Sequence, residues 1–217
     1  IIAAVGENVM LCGENRDRQG LRLPGKQEQF VEELIKTGKP VVLVMFGRHA
    51  QIISGLAEKC AAVIQAWYPG EEGGNALADI LFGKVSPSAK LSVSYPNTEI
   101  NEPICDNTST EKDPRVQWPF FYGLSYTTFE YANLKVDGEA STTDESISLS
   151  FDVKNTGQMA ADEIAQIYLS PTANNQQIRP IQLQGFARVS LQPGETKTVK
   201  VKLWTEQFGY YSNEGKR

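Results

Sequence analysis

A chain of 217 residues can hold one large domain or two modest ones, and 41% hydrophobic with 22% charged residues excludes a disordered chain. The net charge is −5 with no clustered Lys/Arg stripe, which argues against a nucleic-acid partner, and no run of about eighteen apolar residues is present to span a membrane. Acidity is uneven, with ten basic and ten acidic side chains in 1–97 against eleven and sixteen in 98–217. The chain opens without Met on the apolar run Ile1-Ile2-Ala3-Ala4-Val5, which reads as a buried strand already under way, so a fragment or a processed chain is expected. Cys12, Cys60 and Cys105 share no metal-like spacing.

In chain order, Ile1–Gly6 reads as a strand. Lys26–Thr37 reads as a helix with Phe30, Val31, Leu34 and Ile35 on one face and Gly38 behind it. Pro40–Phe46 is a second strand, apolar throughout, followed by a weaker helical pattern over Gln51–Glu58. Ala61–Trp67 is a third strand. Asn75–Phe82 is a helix with Leu77, Ile80 and Leu81 inward. Continuously apolar strands separated by helices imply a mainly parallel sheet covered on both faces, so 1–97 is expected to be an α/β layered sandwich domain.

Residues 98–128 are rich in Pro, Asn, Thr and Asp without periodicity and read as a linker that ends in an aromatic cluster, Trp118 to Tyr126. That cluster is expected to bury an interdomain seam. From Phe129 the period becomes two: Ile147, Leu149, Phe151 and Val153 alternate with polar residues, Asn155-Thr156-Gly157 turns the chain, and Val199, Val201 and Leu203 alternate again after Pro193-Gly194. Short strands with no helix between them predict an all-β sandwich over 129–217.

The stretch from Val5 to Gly25 follows the first strand at its C-terminal end, where open α/β sheets place ligands. It holds Glu7, Glu14 and the close set Arg16, Asp17 and Arg18. A carboxyl on a glycine-flanked loop can reach a substrate oxygen unobstructed, and neighbouring arginines can hold hydroxyls; the alternative is a solvated polar loop. A second Gly-rich turn, Trp67 to Asn75, opens a helix. Anion binding there is opposed by Glu71 and Glu72 and by the missing phosphate-loop Lys, so a structural βα turn is the preferred reading, with Trp67 and Tyr68 available as an aromatic wall for a sugar ring. The single histidine, His49, is taken as a structural residue after the second strand, and nothing calls for a metal or a cofactor.

Taken in order, these residues resemble glycoside hydrolase family 3. Gly6-Glu7, Gly13-Glu14 with Asp17-Arg18, and Leu23-Pro24-Gly25 with Gln27 look like the start of that family's second domain. Thr37 to Val44, Gly47-Arg48, Trp67 to Gly74, Ala78 to Gly83 and Pro87 to Leu91 continue the likeness. Phe120 to Phe129 resembles the entry into a fibronectin type III-like domain, whose pattern Val153 to Gly157, Gln166 to Leu169, Arg179-Pro180, Leu183 to Phe186 and Leu191 to Glu195 also fit.

The resemblance implies the C-terminal part of a retaining, exo-acting β-glycosidase, β-glucosidase-like, acting on a β-linked oligosaccharide or glycoside with glucose as the default glycone and xylose as the alternative. The aspartate nucleophile would lie on an N-terminal (β/α)₈ barrel outside this chain. Glu14, followed by the Asp-Arg pair, would be the general acid/base, Arg18 would orient the loop or a sugar hydroxyl with Asp17 paired to it, and Glu7 would hold the loop's shape. Without the nucleophile the chain alone is expected to be inactive, and the expected location is periplasmic or extracellular. A non-catalytic carbohydrate-binding or structural module is the rival reading; a nucleotide-binding domain lacks any phosphate loop. The sequence departs from the resemblance at His49, where Pro is common, at Ala89 and Phe121, where Gly is common, and after Gly215, where a further strand is expected, so the sandwich reads as truncated.

Overall fold

The computed structural model describes residues 1–11, 13–16, 18, 20–99, 113–137, 146–170, 182–204 and 206. Asp17, Cys12, Cys105, residues 100–112 of the expected linker and the closing-strand region after 206 lie outside these residues. The chain divides into two compact units, one of residues 1–82 with 91–121 and one of 83–90 with 122–217.

In the first unit β1 (Ile2–Gly6), β2 (Val42–Phe46) and β3 (Ala62–Trp67) form a parallel sheet in the order β1-β2-β3. The connections carry α1 (Gln27–Lys36) and the single turn α2 (Ser54–Ala57), and α3 (Gly73–Leu81) follows β3. Ala3 and Val5 of β1, Leu43 and Met45 of β2 and Val31 of α1 share one core with Leu23, Val41, Ile53 and Leu56. Val44, on the other face of β2, is buried too, which is why this central strand is apolar throughout. The helix expected over 51–58 shrinks to four residues. Ile52 bridges Arg22 and donates its N–H to the Leu21 carbonyl at 2.9 Å, so this N–H is satisfied laterally instead of helically. A small antiparallel pair, β4 (Tyr95–Pro96) with β5 (Val116–Trp118), lays Trp118 on the same core. Tyr95 meets it edge-on at 5.5 Å and donates its hydroxyl to Gln65. Burial pushes that phenol's pKa up.

The second unit is antiparallel. β6 (Phe129–Asp137), β7 (Ser146–Asn155) and β10 (Thr196–Trp204) form a sheet in the order β10-β7-β6, and β8 (Ala161–Leu169) pairs with β9 (Gln182–Leu191). Phe151 and Val153 of β7, Ala165 of β8, Val189 and Leu191 of β9 and Val199 of β10 make one core, set by the period of two. Residues 83–90 fall in this unit although their sequence reads with the first domain. Ser86 Oγ accepts from the Tyr126 N–H at 3.0 Å. Lys90 donates to the Gly123 carbonyl at 3.0 Å and sits 3.5 Å from Glu163, which accepts the Tyr131 hydroxyl at 2.8 Å.

Three carboxylates of this unit are held below the usual carboxylate range. Asp152 accepts from Asn133 and then Thr198, Asp162 from Ser190 and then Arg188, and Glu195 from the Gln192 N–H and then Lys197. A folded-state pKa depressed below the unfolded value stabilises above the unfolded value and is lost as pH falls through the folded one. The second unit is therefore expected to melt at progressively lower temperature as pH drops below about 4. Asp152→Asn should flatten that slope in a melting series, because one titrating group is removed.

Candidate functional site

The three parallel strands all end on one edge of the sheet, and the residues of interest sit there. β1 stops at Gly6, whose φ is +136° and whose missing side chain matters: a Cβ would stand 1.8 Å from the Phe46 carbonyl oxygen. Only a hydrogen fits against β2 at that point. On the outer side of β1 the Gln27 side chain brackets Gly6, accepting from its N–H at 2.6 Å and donating to its carbonyl at 2.9 Å. The first residue of α1 thus completes the backbone pairing of an edge strand.

Glu7 comes next, its N–H on the Phe46 carbonyl at 2.9 Å and its side chain 0% exposed. Oε2 lies 2.8 Å from His49 Nδ1, and Oε1 lies 3.1 Å from Arg18 Nε, an ion-pair contact without hydrogen-bond alignment. Arg18 also donates through Nη2 to the Arg22 carbonyl at 2.6 Å. A buried carboxylate requires such partners, and with both oxygens engaged Glu7 is sealed from any external ligand.

The loop beyond is folded on itself. Asn8 receives the Met10 N–H on its side chain and the Leu11 N–H on its carbonyl, and Arg16 Nη1 donates to the Val9 carbonyl at 3.3 Å. Its tip is a turn in which the Arg16 N–H donates to the Gly13 carbonyl at 3.1 Å. Gly13 at φ +145° and Asn15 at φ +58° flank Glu14, and both adopt backbone conformations that Gly and Asn tolerate best. Glu14 is exposed, and among the described residues no ion pair or hydrogen bond holds its carboxylate. The edge therefore presents two contrasting carboxylates: one buried and tied, one carried outward on a bent tip. A carboxyl of the second kind can exchange a proton with whatever covers it.

The other residues singled out in the sequence are placed as follows. The Arg18 guanidinium is turned to Glu7 and the Arg22 carbonyl. Asp17 lies outside the described residues. Trp67 stands half-exposed at the end of β3, pairs with Phe46 across a slip in the ladder, and has φ +53°, a strained conformation for a bulky residue. Its carbonyl accepts the Gly47 N–H at 3.2 Å, so the ends of β2 and β3 are tied. In the Gly-rich turn the Gly73 N–H returns to the Gly70 carbonyl at 3.2 Å, and a Cβ on Gly73 would lie 2.4 Å from Pro69, so packing requires this glycine.

His49 as a partner of Glu7 was missed by the sequence reading. The signal was present: Gly6-Glu7 and Gly47-Arg48-His49 each follow an apolar strand, and loops after adjacent parallel strands are neighbours.

The Glycosyl hydrolase family 3 C-terminal domain matches residues 1–126, and the fibronectin type III-like domain matches 163–217. A beta-xylosidase of Formosa agariphila is 34% identical over all of this chain and 32% of its own length, and the periplasmic beta-glucosidase of Salmonella typhimurium is 32% identical with the same coverage. Among solved structures, the beta-glucosidase of Listeria innocua in complex with isofagomine superposes with a TM-score of 0.84 at 31% identity, over 99% of this chain and 32% of that one. The beta-glucosidase of Kluyveromyces marxianus in complex with glucose has a TM-score of 0.84 at 34% identity, over 95% and 27%. The chain thus spans about a third of the length of its relatives. With more than half of its residues matched by one family domain and the following part by a fibronectin type III-like domain, the chain belongs to glycoside hydrolase family 3 and corresponds to the C-terminal region of its β-glucosidases and β-xylosidases.

Proposed function

We propose that this chain supplies the general acid/base of a retaining, exo-acting β-glycosidase, with Glu14 in that role. The nucleophilic aspartate belongs to a (β/α)₈ barrel outside these 217 residues. The observation that carries the reading is the exposed Glu14 carboxylate on the Gly13–Arg16 turn, borne by a loop anchored through Glu7 and Arg18. Val9 and Met10, exposed on the same loop, support a second surface closing over it.

In a retaining site the two carboxyl groups stand about 5–5.5 Å apart across the glycosidic bond. Glu14 protonates the departing oxygen as the nucleophile forms the glycosyl-enzyme, then takes a proton from water as that ester is hydrolysed. Trp67 offers an aromatic face to the sugar at the same sheet edge, and Arg18 acts on the loop. Glucose is the default glycone and xylose the alternative, and the site of action is the periplasm or the extracellular space.

The test is complementation. The isolated chain should show no turnover of aryl β-glucosides, because a double displacement needs both carboxyl groups. Fusion to a family barrel bearing its aspartate should restore turnover. Activity in the isolated chain would refute the reading, as would tight calorimetric binding of glucose or short β-glucans, which favours a carbohydrate-binding module instead.

A further inference from the structure

The described residues of the loop between β1 and α1 form no helix or extended strand, yet this loop carries the residue on which the proposed function depends. We propose that Glu7 is the positioning residue of this loop, and that His49 fixes Glu7 by donating from Nδ1 as the neutral tautomer. The kinetic part of this proposal rests on the reading of Glu14 as acid/base; the structural part does not.

Arg48 Nε lies 3.3 Å from His49 Nε2 and can only donate, so Nε2 is the accepting nitrogen. The proton of the neutral ring is then on Nδ1, 2.8 Å from Glu7 Oε2. His49 supplies a hydrogen bond without adding a second cation beside the buried Glu7–Arg18 pair. Glu7 packs closely over Gly47, where an added Cβ would lie 3.1 Å from Glu7 Oε2, so the place where β2 ends takes a glycine. One carboxylate therefore joins three segments at the sheet edge: its own after β1, His49 after β2, and Arg18 in the loop. Arg18 passes the restraint on, through Nη2, to the Arg22 carbonyl just ahead of α1. Glu14 lies on the part of the loop spanned by Glu7 and Arg18, so the tie fixes both ends of the segment that carries it.

The chain contains a single histidine, so its imidazole nitrogens can be read by ¹⁵N NMR without assignment. Protonation at Nδ1 is expected; a ring protonated mainly at Nε2 overturns the proposal. Hydrogen exchange followed by mass spectrometry gives the second readout. In His49→Ala, residues 8–22 should exchange about tenfold faster while peptides from β2 and β3 keep their rates. His49→Gln, which keeps a donor toward Glu7, should recover most of that protection. Unchanged exchange in 8–22, or no difference between the two variants, overturns the tie. Glu7→Gln should loosen the loop further, and if it does not fold, the two His49 variants still decide. In a barrel-complemented enzyme, His49→Ala should lower kcat about tenfold with KM little changed, and His49→Gln should restore it. A loosened loop with full kcat would leave the tie standing and sink the acid/base reading of Glu14.

Discussion

In the barrel-complemented enzyme, Glu14→Gln is expected to lower kcat on cellobiose or an alkyl β-glucoside by about 10²- to 10⁴-fold, the usual contribution of a positioned proton donor. The amide keeps the side chain's size but cannot give a proton to a poor leaving group. A dinitrophenyl β-glucoside departs without protonation, so its first step should be nearly untouched. The glycosyl-enzyme should then accumulate, because water approaches with no base to deprotonate it, and a burst of phenolate should precede a slow steady state. Azide needs no deprotonation, so it should accelerate that steady state and yield the β-glycosyl azide, as expected for a retaining site that has lost only its acid/base. Glu7→Gln separates the two carboxylates of this edge. Its expected defect is a loosened loop or a lost fold, and azide should not repair it, because Glu7 is sealed under Arg18 and His49. Normal turnover of natural β-glycosides by Glu14→Gln would remove Glu14 from the mechanism.

What was legible in this sequence follows from how far apart the interacting residues lie. The parallel strands are plain because β2 is buried on both faces and must be apolar throughout, and α1 is plain because its apolar face repeats locally. The helix expected over 51–58 was overdrawn because Gln51 and Ile52 are buried and Ile52 is held by residues 21 and 22, a contact that no local pattern encodes. Ser86 and Lys90 read with the first domain by continuity, yet their partners are Ser125, Tyr126, Gly123 and Glu163. At the site, the loop announced itself through its glycines and its clustered charges. The pairing that holds it did not, because Glu7 and His49 are 42 positions apart and meet only when β1 lies beside β2.

Asn155 shows the same limit with the largest expected cost in stability. In sequence it reads as a turn residue before Gly157, but it continues the inward face of β7 and is fully buried. Every polar atom of its amide is used. Oδ1 accepts the Thr127 hydroxyl at 2.7 Å and the Gly157 N–H at 3.1 Å, while Nδ2 donates to the Met159 carbonyl at 2.8 Å and the Leu191 carbonyl at 3.2 Å. Its backbone closes the turn before β10, donating to the Glu195 carbonyl and accepting the Gly194 N–H. One side chain thus ties the start of β6, the turn after β7 and the end of β9. Asn155→Ala leaves these four groups without their partner, two of the bonds being buried and two part-buried, and is expected to cost about 3–5 kcal/mol, at ~1–3 kcal/mol per unsatisfied buried group with relief from water at the part-buried ones. For a unit of this size that is a fall in melting temperature of roughly 15–25 °C. Asn155→Asp is the sharper test. At neutral pH it keeps the acceptor, loses both donations and aims a charge at two carbonyl oxygens, so it should be at least as unstable as Asn155→Ala. Those oxygens raise the pKa of the introduced carboxyl in the folded state, so its penalty is present at high pH and is relieved as pH falls through that raised value. Melted side by side from pH 7 to pH 5, Asn155→Asp should gain on Asn155→Ala. Parallel curves would mean that the carbonyls of Met159 and Leu191 do not depend on this amide.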